Sequence, residues 1–448
     1  MASEYNLSGY VPPTYNALRT TCLQKEKAHV ERLMEPIKTT WKEKGVTIVS
    51  DVTELGPMFI KVVNCEGNVK DRFFMANLIK EVIMEIGAQN VVQVITDNAP
   101  VCKAAGMIVK TQFPHIFWTP CVVHTLNLAL KNICDPSHIE SNKDAFTECH
   151  WITEVADRAL MVKNLILNHN MVLTMFNNVA PLKLLGVAET RFASLIMMLR
   201  RIKLLKRSLE TLVLSEEWGT YREYDQQAKA SIIRTTMLDE TWCDKVDYIL
   251  KFTGPMYGML RFANTDKPSL HLIYDMWDEM IEKVKTIIYR HERKALSEDS
   301  PFYIVVYSIL IDRWTKSSSP LHYFAHSLNP RYYSNTWLNA APDRLPPHQD
   351  IELSEERNKC IKRYFPDGEA RESYSIEKNW STYSFIHSIK RNKILPTRAE
   401  DLVYVHTNLR LLSRKRGDRF DPLDGAEELE IASLSLDEPE MEAMIMLD

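Results

Sequence analysis

Two aspartates follow runs of β-strand character, and their type and position suggest metal-dependent chemistry. Asp51 follows the strand-like run 48–50, and Asp97 follows the strand-like run 94–96. The carboxyl ends of parallel strands meet at one edge of an α/β sheet, where ligand sites form. Neighbouring carboxylates repel each other unless a cation lies between them, and Mg²⁺ prefers such oxygen ligands. Two such ions can activate a water and stabilise a leaving oxygen in phosphodiester chemistry.

An aspartate at the end of a strand also has a common structural role. Its carboxylate can accept hydrogen bonds from the turn that follows, as an Asx turn or a helix N-cap does. Residue type and position alone favour this structural role for Asp51 and Asp97. The metal site is therefore the alternative interpretation at this point.

Short strands and amphipathic helices alternate around these aspartates. The strand-like runs are β-branched and bounded by glycine or proline, whereas the helical runs repeat apolar residues every three or four positions. This alternation predicts an α/β layer with parallel strands. The predicted strands cover residues 46–50, 58–63, 91–96 and 116–119, and the predicted helices cover 71–87, 100–110 and 123–133.

The rest of the chain is predicted to be mainly helical. Residues 18–44 form a helical stretch that Pro36 should kink or split. From residue 140 to about 310 the apolar spacing is helical throughout, and the 13 glycines in 448 residues suit a helix-rich chain. Serines and prolines in 316–350 predict a loop region. Two further helices are predicted at 377–393 and 398–412.

Charge and composition exclude several classes of protein. The net charge is −4, but residues 421–448 hold ten acidic and no basic side chains, so the first 420 residues carry +6. That mildly basic body is compatible with nucleic-acid binding. We find no phosphate-binding glycine loop, no membrane span and no secretory signal. Eight scattered cysteines without a C-x-x-C pair indicate reduced thiols in an intracellular protein.

Five longer runs carry a specific resemblance. They include the sequence around Asp97, the Cys121-x-x-His124 pair and the Arg191-Phe192 pair. Together they resemble the hAT superfamily of DNA transposases, in the plant-type branch that carries a domain of unknown function beside a C-terminal dimerisation region. The matching runs are residues 93–106, 114–127, 189–192, 377–393 and 399–413, within a resemblance that covers about residues 8–415.

The resemblance implies a ribonuclease-H-like α/β core that a large all-α insertion interrupts. The alternation of elements independently predicts this order of an α/β layer, a long helical region and a short return segment. The expected parts are an N-terminal helical lead-in at 1–45, the core at 46–136, the all-α insertion at 137–346, a return segment at 347–413 with dimerisation helices at 376–413, and a disordered acidic tail at 414–448.

The resemblance also implies the site residues. Asp51, Asp97 and Glu377 match an Asp-Asp-Glu triad that binds Mg²⁺ for DNA cleavage and strand transfer. Cys121 and His124 match a pair that lies beside the active site; a zinc site is disfavoured, because no second pair of ligands has matching spacing. The alternatives are packed core groups for Cys121 and His124, and a carboxylate at a helix N-terminus for Glu377.

Two further sets of residues complete the interpretation. Arg191 and Phe192 match a pair that holds a flipped DNA base, and the basic run 390–393 could contact phosphates or direct the chain to the nucleus, or be a solvated helix face. The basic candidates in this run are Lys390, Arg391 and Lys393. A homodimer is expected through apolar positions of the C-terminal helices, namely Trp380, Phe385, Ile389, Leu402, Val405 and Leu409.

Departures from the hAT pattern bear on activity. The strand expected between Asp51 and Gly56 is deleted, and the approach to Glu377 is shortened to residues 370–376. Residues 1–45 hold one cysteine and one histidine, so they cannot build a zinc finger. We therefore expect a nuclear, transposase-derived protein that is catalytically impaired and keeps dimerisation and nucleic-acid binding, with no membrane or small-molecule partner.

Two other hypotheses stay open from the sequence. The first is an active Mg²⁺-dependent hAT transposase, which would need the two aspartates and Glu377 to converge within metal-bridging reach. The second is a degenerate chain that does not fold, which cooperative thermal unfolding would exclude.

Overall fold

The computed structural model describes most of the chain before residue 365. The described residues are 14–50, 54–55, 60–61, 63, 65, 67–184, 192–221, 227–265, 269–341, 344–364 and 387–388. They divide into two compact units. The first contains the described residues up to Trp118 together with 387–388, and the second contains Thr119–Thr265 and the described residues from Ser269 to 364.

The first unit combines a small sheet with helices. In chain order its elements are α1 (Tyr15–Ala17), a π-helical turn (Leu18–Cys22), α2 (Leu23–Lys38), α3 (Trp41–Lys44), β1 (Val46–Ser50), β2 (Glu54–Leu55), α4 (Arg72–Ile86), a 3-10 turn (Ala88–Asn90), β3 (Val91–Thr96), α5 (Pro100–Gln112) and β4 (Phe117–Pro120), which runs past the end of the unit.

The described sheet has three strands in the order β1-β3-β4. β1 and β3 are parallel, and their register runs from Val46 opposite Val91 to Ser50 opposite Thr96, with one irregularity between Val46 and Thr47. A parallel pair needs a crossover connection, which α4 supplies between β1 and β3. The predicted α/β layer with parallel strands is confirmed at this coarse level, and the ribonuclease-H-like topology stays a prediction.

Local signals explain why α4 forms and packs. Asp71 caps its N-terminus, since the carboxylate Oδ1 accepts hydrogen bonds from the backbone N–H groups of Phe73 and Phe74 at 3.0 and 2.8 Å. The buried face of α4 joins residues of both neighbouring strands in one apolar cluster. Its buried members are Ile48, Ile79, Ile83, Ile86, Val91, Val94, Val109 and Ile116.

The described part of the second unit is helical beyond the end of β4. Its elements are α6 (Val122–Cys134), a 3-10 turn (Glu140–Asn142), α7 (Lys143–Asn168), α8 (Asn170–Val179), α9 (Phe192–Leu204), α10 (Lys206–Leu214), α11 (Glu216–Thr220), α12 (Gln227–Met237), α13 (Glu240–Ala263), α14 (Leu270–Glu292), α15 (Pro301–Ser317), α16 (Pro320–Ser327), a 3-10 turn (Pro330–Tyr333), α17 (Asn335–Leu338) and α18 (Ile351–Tyr364).

One large apolar core holds this unit together. α6 packs against α7, α9, α13 and α15, and the core runs from Leu126 to Leu310 with Phe176, Phe252 and Trp277 among its fully buried side chains. The helix-rich character that the sequence predicts is confirmed. The predicted domain bounds remain predictions. None of the helices described is long and apolar enough to cross a membrane.

Three predicted elements are wrong. Ile60, Lys61 and Val63 belong to no strand, although a strand is predicted over 58–63; Lys61 instead forms an ion pair with Glu81 of α4, with 3.3 Å between Nζ and Oε2. The predicted loop region 316–350 contains α16 and α17. The predicted helix 377–393 is wrong at its two described residues, His387 and Ser388, which form the short strand β5 opposite β2.

The helical stretch expected over 18–44 is split, although not at its proline. Pro36 lies inside α2, and the interruption falls at residues 39–40, between α2 and α3. The other residues of the predicted dimerisation helices and the acidic tail lie outside the part of the chain that the structure describes.

Candidate functional site

Asp97 closes the turn between β3 and α5. Its Oδ1 accepts a hydrogen bond from the backbone N–H of Ala99 at 3.0 Å, and Pro100 then occupies the first turn of α5. This is the Asx-turn geometry of the structural alternative. The side chain is half-buried. One carboxylate oxygen therefore holds the turn, and the second oxygen is the one that could serve a ligand.

The indole of Trp118 supports the strand end that carries Asp97. Its Nε1–H donates to Thr96 Oγ1 at 3.1 Å, and the Thr96 hydroxyl in turn donates to the backbone carbonyl of Asp97 at 3.0 Å. Trp118 lies on β4, so this pair of bonds ties two strands together where a site would form. The sequence suggests Trp118 as a core or interface anchor, but its bond to Thr96 could not be predicted because the two residues lie 22 positions apart.

Gly106 lets the indole approach α5 closely. An alanine Cβ built at this position would lie 2.2 Å from Trp118 Nε1 and 2.3 Å from Cδ1. Ordinary carbon contacts are about 3.5–4.0 Å. Only a residue without a Cβ fits between α5 and the ring. The glycine in the 93–106 run thus has a packing role.

The strand register brings the predecessors of the two candidate aspartates side by side. Ser50 pairs with Thr96 across β1 and β3, and these residues immediately precede Asp51 and Asp97. Asp51 itself and Glu377 lie outside the described residues. Where the structure describes the chain, no group of three or more His, Cys, Asp or Glu could hold a metal. Asp97, an oxygen donor of the kind that Mg²⁺ prefers, is the predicted ligand that can be placed.

Cys121 and His124 lie at the start of α6, in the second unit. Cys121 precedes the helix and is 3% exposed, and its carbonyl accepts hydrogen bonds from the backbone N–H and the hydroxyl of Thr125, each at 2.9 Å. His124 is half-buried one turn into α6. These contacts match the interpretation of Cys121 as a packed group at a helix terminus, and the role beside an active site stays a prediction.

The same helix anchors the start of α9. Asn127, one turn after His124, accepts a hydrogen bond on Oδ1 from the backbone N–H of Ala193 at 3.1 Å. Ala193 follows Phe192, the first residue of α9. The bond therefore joins the end of the 114–127 run to the residue that directly follows the 189–192 run, through Asn127, which sequence reasoning did not single out. Its one sequence signal is its place at the end of the 114–127 run.

Most predicted nucleic-acid and dimerisation residues cannot be placed. Outside the described residues lie Arg191, Lys390, Arg391, Lys393, Trp380, Phe385, Ile389, Leu402, Val405 and Leu409. Basic side chains that can be placed near the end of α9 are paired with α13. Lys203 Nζ lies 3.2 Å from Asp247 Oδ1, and Lys206 Nζ lies 3.0 Å from Glu240 Oε2. The hydrogen bond to Glu240 raises the pKa of Lys206.

Comparison with known proteins gives a family match over the N-terminal third of the chain. No curated protein matches the chain. Residues 13–162 match a family described as a domain of unknown function (DUF659), which is found in hAT-type transposase-like plant proteins.

Proposed function

We propose that this chain is a transposase-derived protein of the hAT type that is catalytically impaired and retains homodimerisation and nucleic-acid binding. The match over residues 13–162 and the five resembling runs support the ancestry. Nucleic-acid binding rests on the basic run 390–393 and on the +6 charge of the first 420 residues. The dimer rests on the apolar positions predicted for the C-terminal helices.

The observation that carries the impairment is the short sheet. A complete hAT-type core, as the resemblance implies it, has a full second strand soon after Asp51. Here β1 is followed by the two-residue strand β2, which pairs with β5 instead of extending the β1-β3-β4 sheet. Misplacement of a catalytic group by about 1 Å can cost a hundredfold in rate. The described residues supply no full second strand beside the position of the first aspartate, and such a loss would suffice to impair metal-dependent cleavage.

A cleavage assay tests the impairment. We expect the full chain, incubated with supercoiled plasmid and Mg²⁺ or Mn²⁺, to nick DNA no faster than its Asp97→Asn variant. Asparagine keeps an Oδ1 that can accept the Ala99 hydrogen bond, so the variant removes the charge and preserves the turn. The measurement is the initial rate of nicked-circle formation on a gel.

The alternative function, an active Mg²⁺-dependent transposase, is favoured by one observation. The register of β1 and β3 sets Ser50 opposite Thr96, directly before the two candidate aspartates. If Mg²⁺ binds, the Asp97 carboxylate supplies one oxygen ligand, and the bound ion would polarise the scissile phosphate. Nicking that requires the divalent ion and disappears in Asp97→Asn would establish this function and contradict the impairment.

The C-terminal interface makes a separate prediction. The double substitution Leu402→Lys and Leu409→Lys should halve the molecular mass measured by size-exclusion chromatography with light scattering at micromolar concentration. Two charges placed in an apolar interface lose hydration without gaining a partner. The control is Met84→Lys, a charge placed on a methionine of α4 that is 67% exposed. An unchanged mass in the double variant would show that these helices do not join the subunits.

A further inference from the structure

A cavity lies along one face of α7, beside the start of α12. Its volume is about 310 Å³, at the lower end of the range for small-ligand sites. The lining positions on α7 run from Asp157 to Asn168 at intervals that keep them on one side of the helix. This stripe of side chains is about 16 Å long, since a helix rises about 1.5 Å per residue.

The floor of this cavity is apolar. Leu165 is 3% exposed, and the half-buried Leu160 and Met161 lie about one turn before it on the same face of α7. Aliphatic groups that enter the cavity would gain about 25 cal/mol for each Å² removed from water. Because methionine adapts its shape readily, the floor can accept aliphatic side chains of more than one form.

Opposite charges lie at the two ends of the stripe. Arg158 Nη1 is 3.9 Å from Asp239 Oδ2, so the chain just after α12 lies beside the Asp157 end of the stripe. α12 therefore runs back along α7, and Lys229 near its start lies toward the other end, with His169. A ligand that is positive at one end and negative at the other would match both ends.

Two side-chain amides lie between the charged ends. Asn164 and Asn168 line the cavity one turn apart, so their attachment points are about 6 Å apart along α7. In an extended peptide, backbone groups that face the same side repeat every two residues, or about 6.6–6.8 Å. Each asparagine amide offers donors and an acceptor, as a peptide unit does. The amide spacing therefore fits the edge of an extended peptide.

We propose that this cavity binds a short extended peptide, with the carboxylate end at Lys229 and His169 and the positively charged end at Asp157. Five extended residues span about 17 Å, which is close to the length of the stripe. Alternate side chains would enter the apolar floor, and the others would face solvent. A nucleic-acid strand fits less well, because its repeated phosphates would bring negative charge to Asp157. The proposal goes beyond dimerisation and nucleic-acid binding and rests on neither.

The probe is a five-residue peptide of alternating serine and leucine, with serine at both ends and both termini free. Isothermal titration calorimetry with the full chain should show saturable binding. An exposed charge pair contributes up to about 1 kcal/mol, so acetylating and amidating the two termini should weaken binding by about tenfold. Equal affinity of the free and the doubly blocked peptide overturns the proposal.

Two substitutions assign the ends of the peptide. Lys229→Met should weaken binding of the free peptide about fivefold and leave binding of the amidated peptide unchanged. Asp157→Asn should likewise weaken binding of the free peptide and leave binding of the acetylated peptide unchanged. Lys245→Met is the matched control, since Lys245 is exposed on α13 and does not line the cavity. All three side chains are exposed, so the circular dichroism of the variants should match that of the wild type.

A methyl spectrum shows where the peptide binds. In a chain labelled with carbon-13 at the methionine methyl groups, the peptide should shift the signal of Met161, which is assigned by its loss in Met161→Leu. Titration without saturable heat, or a Met161 signal that does not move, overturns the proposal. If an oligothymidine strand shifts that signal and the peptide does not, the cavity is a nucleic-acid site and the peptide proposal is wrong.

Discussion

Replacing Gly106 with alanine should destabilise the α/β unit, although alanine is the better helix former. In an open helix position the exchange stabilises by about 0.5–1 kcal/mol. At position 106 the new Cβ would meet the Trp118 ring at 2.2 Å. The ring cannot retreat freely, because its Nε1–H is bonded to Thr96. Overpacking of this kind costs about 1–3 kcal/mol, and losing the Trp118–Thr96 hydrogen bond costs about 1 kcal/mol more.

Urea unfolding followed by circular dichroism measures this change, and two variants control it. Gly258→Ala in α13 makes the same exchange where the new Cβ would meet nothing within 4 Å, so it should gain about 0.5–1 kcal/mol. In a Trp118→Ala background the clash is gone, and Gly106→Ala should then be neutral or stabilising. If Gly106→Ala lowers the free energy of unfolding equally in the wild-type and Trp118→Ala backgrounds, the clash with the Trp118 ring is not the cause of the destabilisation.

The same contact bears on Asp97. Displacing the indole removes the bond that steadies Thr96, whose hydroxyl holds the backbone carbonyl of Asp97 at 3.0 Å. The end of β3 would then lose its side-chain bond to β4 and keep the ladder and the turn bond from Ala99 to Asp97. A substitution at Gly106 therefore affects the position of Asp97 indirectly, through the Trp118–Thr96 and Thr96–Asp97 hydrogen bonds.

The elements around the sheet could be predicted from local patterns. The runs 46–50 and 91–96 match β1 and β3 residue for residue, and α4 begins one residue after the predicted start because Asp71 is its cap. Buried β-branched runs bounded by glycine can form little else. The predicted strand at 58–63 is wrong at its described residues because strand propensity takes effect only when a partner strand is present.

The helix α16 shows how a start signal can be mistaken for a loop. Ser319 and Pro320 were consistent with a loop by composition, yet serine at the N-cap and proline at the first helical position are also a common helix start. The residue that completes the cap is His322, whose Nδ1 accepts from the Ser319 N–H at 3.2 Å in place of the usual glutamate or glutamine. A pattern built on acidic residues does not find it.

The sequence predicts the residue types of the candidate site. It does not predict the residues that hold these side chains in place through hydrogen bonds and packing. A strand-end aspartate can close a turn or hold a metal, and Asp97 does the first at its Oδ1. The sequence leaves both roles open because both need an oxygen acceptor at the same place. The contributions of Trp118, Thr96 and Asn127 depend on chain segments that only the fold brings together, so no local pattern could reveal them.

Lowering the pH from 7 to 4 should destabilise the helical unit, because α16 buries two neutral histidines. His322 is 1% exposed and His326 is 2% exposed. Burial lowers the pKa of His322 to about 4. Burial, with a smaller effect of the nearby His271, lowers the pKa of His326 to about 3. The ordinary histidine pKa is about 6.5, so protons bind first to the unfolded chain.

The direction of the effect follows from this order of protonation. Well above pH 6.5 neither state is protonated at these histidines, and the folded state keeps its full stability. Between pH 6.5 and about 4 the unfolded chain binds protons that the folded chain excludes, and stability falls with falling pH. Each unit of pKa difference corresponds to 1.36 kcal/mol, so the free energy of unfolding falls by on the order of 3 kcal/mol per histidine between pH 6.5 and about 4.

His326 can be removed without emptying its site. Its ring stacks on Tyr332 with 3.7 Å between centroids and meets Tyr274 edge-on at 4.8 Å, an environment that suits another aromatic ring. His326→Phe should therefore fold as well as the wild type at pH 7 and lose about half of the extra acid sensitivity. Urea midpoints measured at half-unit steps from pH 7 to pH 4 give the comparison.

Carboxylates also titrate near the lower end of this range, so the informative quantity is the difference between variants. Gln in place of the exposed His138 serves as the control and should follow the wild-type curve throughout. If the urea midpoint of His326→Phe falls as steeply as that of the wild type between pH 6.5 and 5, the buried imidazole does not limit the acid stability of this unit. A flatter curve in His326→Phe alone would place the acid-sensitive step at α16.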